Sequence, residues 1–155
     1  MATETTEIPW LSDDQQVSWR AYLEGSSRLV EALNRDLEKD SDLSLNEYEV
    51  LVRLSENASW TMRMSHLADS LAHSRSRVTH TVRRLEERGL VDRVSCVADG
   101  RGVNAVLTDA GYSVLVDAAP NHVRSVHRHL VDVLTPEQLT VLGEAMERVS
   151  QACRD

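Results

Sequence analysis

The tightest constraint on this chain lies near its middle. Residues 64–71 are short and apolar on Leu67, Ala68 and Leu71, and only Ala72-His73-Ser74 separates them from a second helical stretch that ends at Gly89. Ser74 has the side chain that caps a helix start, and Gly89 suits the left-handed residue that closes one. Two helices on a three-residue joint make a helix-turn-helix. Two β-prone runs follow, 90–94 and 103–107, with the turn sequence Ala98-Asp-Gly-Arg-Gly102 between them. They predict a β-hairpin. A helix-turn-helix followed at once by a hairpin is a winged helix.

The flanks read as helices. Ser12-Asp-Asp-Gln15 and Ser44-Leu-Asn-Glu47 are capping boxes, the second with Leu43 and Tyr48 placed as a hydrophobic staple. Trp19, Tyr22, Leu23, Leu29, Val30, Leu33 and Leu37 recur at helical spacing, so the first helix runs to about Lys39. The second ends near Asn57. Thr108 caps a helix whose pattern reaches Leu134, with Pro120 expected to kink or break it. Thr135-Pro-Glu-Gln138 starts the last helix, striped by Leu139, Leu142, Ala145, Met146 and Val149. The expected fold is mainly α with a small β-hairpin wing. It is a single domain over 1–155, in which about 44–107 form the winged lobe and about 10–40 and 108–155 a helical base. The outer helices are too apolar for the lobe to cover. Pairing the ends of two copies would bury them and hold the two winged lobes across a two-fold axis.

Charge narrows the function. The chain of 155 residues carries a net charge of −8, which argues against a polyanionic partner if spread evenly. It is not spread evenly: 60–103 holds 8 Arg against 5 acids, while 1–50 holds 12 acids against 4 bases. No stretch longer than seven residues lacks a charged side chain, against the roughly 20 apolar residues a membrane span needs. The first residues are polar and acidic, unlike a signal peptide, and two cysteines, Cys96 and Cys153, fit a reducing cytoplasm. No membrane partner and no cofactor is expected.

On a helix over 75–88, Val78, Val82 and Leu85 fall within about 60° of one another and form the buried stripe. Ser74, Arg75, Ser76, Arg77, Thr79, His80, Arg83 and Arg84 lie on the remaining surface. Arg can bond two acceptors on a guanine edge, while Ser, Thr and His reach bases or phosphates. A major groove admits one such helix, with 74–83 deepest. Arg101 sits at the hairpin tip between Gly100 and Gly102, where it can probe a narrow minor groove, and Asp99 can pair with it and set its direction. A solvated basic surface and a turn-initiating Asp are the plain alternatives.

These residues have a family look. Val78-Thr-His-Thr-Val-Arg-Arg-Leu-Glu-Glu-Arg-Gly-Leu-Val-Asp-Arg93, Asp99-Gly-Arg101 and Leu107-Thr-Asp-Ala-Gly111 together resemble the signature of MarR-type transcriptional regulators. The match is continuous over 78–111, and the order of caps and helices extends it to about 10–152. The resemblance implies a homodimer that binds double-stranded DNA at a pseudo-palindromic operator, most often as a repressor released by an effector or by oxidation. It also implies that Arg101 reads the minor groove with Asp99 as its carboxylate partner, and that 74–84 is the recognition helix. One departure is plain: the family often has two basic residues after the wing Asp, and here the first is Gly100.

Control is less sharply written. Trp10, Trp19 and Tyr22 are candidate walls of a pocket for a small aromatic effector between base and lobe, or else packing residues. His122 and His129 share a face but stand about 10 Å apart, too far to chelate one ion unaided, so no metal is expected. Cys96 on the hairpin is a redox candidate or an inert small hydrophobe. His66, His73 and His80 recur every seven residues without a nucleophile motif, so no enzyme is expected. The alternative to a DNA-binding regulator is a winged-helix protein-interaction module, which the net charge of −8 keeps open.

Overall fold

A computed structural model describes residues 8–96, 98 and 100–154. In chain order the elements are α1 (Asp13–Ser41), α2 (Leu45–Glu56), β1 (Thr61–Arg63), α3 (Met64–Leu71), α4 (Arg75–Glu87), β2 (Val91–Ser95), β3 (Val103–Leu107), α5 (Asp109–His129), a 3-10 turn over Val131–Val133, and α6 (Pro136–Ala152).

The caps act where the sequence places them. The Ser12 Oγ accepts from the Gln15 N–H and the Gln15 side chain accepts from the Ser12 N–H, a reciprocal box. Ser44 and Glu47 repeat it on α2, and the staple residues Leu43 and Tyr48 are both buried. The Ser74 Oγ caps α4, and Gly89 adopts φ +71°, the left-handed region where a side chain would strain. Val78, Val82 and Leu85 are fully buried against Leu51, Leu54 and Leu67. Those six side chains pin the helix-turn-helix onto α2.

The hairpin forms with Val91 opposite Leu107 and Ser95 opposite Val103, one residue later at each end of β2 than the sequence suggests. A third strand was not anticipated. β1 pairs antiparallel with β3, Met62 opposite Ala105, so the sheet order is β1-β3-β2. Three residues are too few to show alternation. Trp60, at φ 53°, turns the chain into β1 and stacks on Tyr112 at 4.6 Å.

The break allowed for at Pro120 does not occur. α5 runs unbroken through it. Pro120 and Val116 are both exposed, so the carbonyl that loses its amide donor faces water. The helix stops at His129, five residues short of Leu134, because Leu130 leaves helical geometry with φ −134°.

Gly111 marks the closest approach of α5 to the lobe. A Cβ there would collide with the Leu90 carbonyl oxygen and with Leu107. Gly111→Ala should therefore cost about 1–3 kcal/mol through overpacking. Gly25, with nothing within 4 Å of its would-be Cβ, is the matched control. Gly25→Ala should raise stability by up to about 1 kcal/mol. Thermal unfolding of both variants checks the pair; a neutral Gly111→Ala would mean α5 does not seat this closely.

α1 and α5 are joined by a polar latch. The Ser125 Oγ donates to Asp36 Oδ2 at 2.6 Å, and the His129 Nε2 lies 3.0 Å from the same oxygen. The Ser125 hydrogen bond, then the His129 hydrogen bond and the charges of Arg128 and His129, hold the Asp36 carboxyl below the usual aspartate range, against the opposing effect of burial. A lowered folded-state value stabilises the fold above the unfolded value, about 3.9. That contribution is lost as pH falls through the lowered value. Asp36→Asn should thus lower stability at neutral pH and flatten the acid limb below about pH 4, as read by urea melts across pH. An unchanged acid limb would show that the latch adds nothing.

α6 buries none of its residues against the rest of the chain.

Candidate nucleic-acid interface

Each predicted residue of α4 is exposed, but they do not all face one way. At 100° per residue, Ser76, Thr79, His80 and Arg83 share an arc of about 100° opposite the buried stripe. Arg77, Arg84 and Arg88 cluster within about 40° on a flank, and that flank lies against the start of α2. There Arg77 Nη2 donates to Asn46 Oδ1 at 3.0 Å, and Arg84 Nε stands 3.3 Å from Glu47 Oε1. So Ser74, Arg75, Ser76, Thr79, His80 and Arg83 form the outward surface, while Arg77 and Arg84 are engaged within the lobe. The helical wheel already contained that split. The Ser74 hydroxyl sits 3.3 Å from that of Ser76, and Thr79 Oγ1 donates to the Arg75 carbonyl. Among the described residues Arg83 has only a long, exposed pairing with Glu87 at 3.8 Å, which solvent screens.

Beside this surface lies a notch of 450 Å³ between wing and helix, lined by Arg63, Ser65, Arg75, Thr79, Arg93 and Arg101 among others, with no acid among the described residues of its lining. Arg101 is exposed at the wing tip, as expected. Asp99 lies outside the described residues. Arg93 is held by Glu86 at 2.7 Å. Arg63 was missed as a site residue. It ends β1, the unanticipated strand, and its guanidinium packs so close to Gly102 that a Cβ there would meet Nη2 at 2.6 Å. A side chain at Gly102 would therefore push the Arg63 guanidinium aside. The only signal was its place in the cationic island. α3 starts at Met64 with no side-chain cap, and its second residue, Ser65, lies at the edge of the same notch.

The expected effector residues do not enclose a pocket within the described residues of one chain. Trp10 is 83 % exposed, and Trp19 and Tyr22 stack on each other at 5.9 Å on an uncovered face of α1. None of the three lines the large cavity, because the packed end of α1 begins only near Leu29. That cavity, 1330 Å³, opens between α1, α2, α3 and the end of α6, with Tyr48, His73 and His122 in its wall. The His122 ring lies 4.3 Å from that of Tyr48; burial pushes the imidazole below its ordinary range, and its Nδ1 meets no hydrogen-bond partner among the described residues. His73 is lowered by burial and by Arg77, with Glu49 opposing.

His129 is committed to Asp36 while His122 faces Tyr48, so the two do not converge. Among the described residues no group of three His, Cys, Asp or Glu side chains is arranged to hold a metal. Cys96 is half-buried on the wing, and its N–H donates to the Gly102 carbonyl at 2.7 Å. Among the described residues no helix is long and apolar enough to cross a membrane.

Comparison with known proteins follows the same outline. The profile of the MarR family matches residues 41–102. The chain is similar to Sco3205 of Streptomyces coelicolor, a MarR family transcriptional regulator whose structure is known in complex with DNA: 41 % identity, TM-score 0.90, covering 96 % of this chain and 92 % of that one. AbsC, another MarR family regulator from S. coelicolor, is 42 % identical with TM-score 0.87, covering 95 % and 99 %. The HTH-type transcriptional regulator PecS of Dickeya dadantii is 28 % identical over 129 residues, 81 % of this chain and 77 % of its own length.

Proposed function

The chain belongs to the MarR family of transcriptional regulators, and on that premise we propose that it is a homodimeric, cytoplasmic repressor that binds a pseudo-palindromic operator and is released by a small-molecule effector. Its relatives are regulators of transcription, not enzymes. The observation that supports the DNA-binding reading best is the outward face of α4. It presents Arg75, Ser76, Thr79, His80 and Arg83 beside the arginine-lined notch and Arg101. In this reading 44–107 dock on the duplex, α4 enters the major groove, and Arg101 follows the minor groove. Asp99 keeps its proposed role as the partner of Arg101. Arg77 and Arg84 serve the lobe rather than the bases.

The helices over about 10–40 and 108–155 form the dimer base. Support comes from area. The chain exposes 11300 Å², against roughly 7,900 Å² for a compact monomer of this mass. The effector site moves from the three aromatics to the cavity walled by Tyr48, His73 and His122, whose burial-lowered imidazoles suit an uncharged aromatic guest. Trp19 and Tyr22 become dimer contacts.

The test is a gel shift on the DNA flanking the protein's own gene. Arg83→Ala should cost about 1–3 kcal/mol of operator affinity and relax preference at one base position. His80→Ala should also alter site preference. Arg101→Ala should weaken operator binding, most at A·T-rich narrow grooves. If all three retain full affinity, the assigned surface is wrong. A wild-type protein that shifts no duplex would point instead to a winged-helix module for protein partners.

A further inference from the structure

Glu47 is the one charged side chain among the described residues that is fully buried, at 2 % exposure. The capping box explains half of it: Oε2 accepts from the Ser44 N–H at 2.8 Å. A Gln would do that equally well. The other half faces α4. Oε1 receives no hydrogen bond among the described residues and stands 3.3 Å from Arg84 Nε, while Oε2 lies 3.7 Å from Arg88 Nη1. Arg88 is tied down further, since its Nη1 donates to the Asp42 carbonyl at 2.9 Å. A buried carboxylate is tolerated only where positive charge compensates it. Arg84 lies in the last turn of α4 and Arg88 is its C-cap, one turn on, so one carboxylate grips the C-terminal end of the helix at two points.

We propose that Glu47 is a positioning residue for DNA recognition: it fixes the rotation of α4 against α2 and withholds the Arg84 charge from the phosphate backbone. The inference rests on the DNA-binding reading above. Arg84 looks like a base or phosphate contact in sequence, and it is exposed along its outer side. Its head group is nevertheless spent on a partner that cannot be solvated otherwise. The direction of α4 and its charge are then set together. With Glu47 in place, the arc of Ser76, Thr79, His80 and Arg83 points outward and Arg84 does not reach a phosphate. With a neutral residue there, Arg84 is freed toward the DNA and α4 gains rotational play.

The test is the salt dependence of binding to a random-sequence duplex, measured for wild type, Glu47→Gln, Arg84→Ala and the double variant. Arg84→Ala should keep the wild-type slope of log K against log salt. Glu47→Gln should steepen it by about one unit per protomer, and the double variant should return to the wild-type slope. Loss of about one unit in Arg84→Ala alone would show that Arg84 contacts phosphate and would overturn the proposal; so would an unchanged slope in a folded Glu47→Gln. If Glu47→Gln does not fold, the Arg84→Ala slope decides. Thermal unfolding supplies a readout without DNA. Arg84→Ala should lower Tm by about 3 °C in the wild-type background and hardly at all beside Glu47→Gln. Additive Tm shifts would refute the pairing, whereas a wild type that binds no duplex but shows coupled Tm shifts would refute the DNA-binding reading and the recognition role, leaving only the pairing.

Discussion

Raising salt from about 50 to 200 mM is expected to weaken duplex binding about 10³-fold. The exponent follows from counting charges that are positioned to act. The island over 60–103 offers eight arginines. Arg84 and Arg88 are committed to Glu47 and Arg93 to Glu86. Arg77 points at Asn46. Arg63 is folded in against Gly102 across the wing. That leaves Arg75, Arg83 and Arg101 as the outward cations of each lobe, about six phosphates for a dimer and a slope near −5. The remaining charge works in the same direction. Outside the island the chain is strongly acidic, so it repels DNA laid across any other face and makes binding depend on the few outward arginines. Fluorescence anisotropy of a labelled operator across a salt series measures the slope. A value shallower than about −2 would mean that phosphate contacts do not drive the association. A value near −9 would mean that the engaged arginines let go of their acids on DNA, against the role given to Glu47.

The local grammar of this fold was legible because its signals are short-range. Ser12, Ser44, Ser74, Thr108 and Thr135 each cap the helix the sequence assigns to them. The buried stripe of α4 follows from spacing alone. What was not legible depends on long-range partners. β1 exists because Met62 finds Ala105 across the sheet, a pairing that three residues cannot announce. Arg63 entered the site with that strand. Arg84 reads as a DNA contact until the fold brings Glu47, 37 positions earlier in the chain, to its side. Pro120 reads as a break until the exposure of its turn shows that water covers the lost bond. The three aromatics read as pocket walls because a cavity needs apolar rings; Trp10 precedes α1 and Trp19 and Tyr22 lie on its first turns, while the cavity between α1, α2 and α3 is walled by Tyr48 and two histidines. Sequence periodicity tells which side of a helix is apolar, but not which neighbour will cover it.

That last point gives the second large effect. Changing Leu142 and Val149 together to Glu should turn the protein monomeric and cut operator affinity about 10²–10⁴-fold. Both residues are exposed on α6, seven positions apart and therefore on one face, and no residue of α6 is fully buried within its own chain. Val17, Trp19, Tyr22 and Leu23 add an uncovered apolar patch on α1. Such helices persist when a second copy covers them, each pairing with the other across a two-fold axis. Two carboxylates per α6 would have to be desolvated to form that contact, which opposes association strongly. The lobe should remain folded, because its core draws on α2, α3, α4, the sheet and α5, with no residue of α6. Far-ultraviolet dichroism should confirm this. The affinity loss then reports linkage alone: with two lobes joined, the second half-site is met at millimolar effective concentration, and a lone lobe forfeits that advantage. Sedimentation equilibrium and anisotropy on the same samples make the test. A double variant that still sediments as a dimer would remove α6 from the interface. A monomer that binds the full operator as tightly as wild type would show that one lobe suffices, and the two-fold arrangement of recognition helices would lose its purpose.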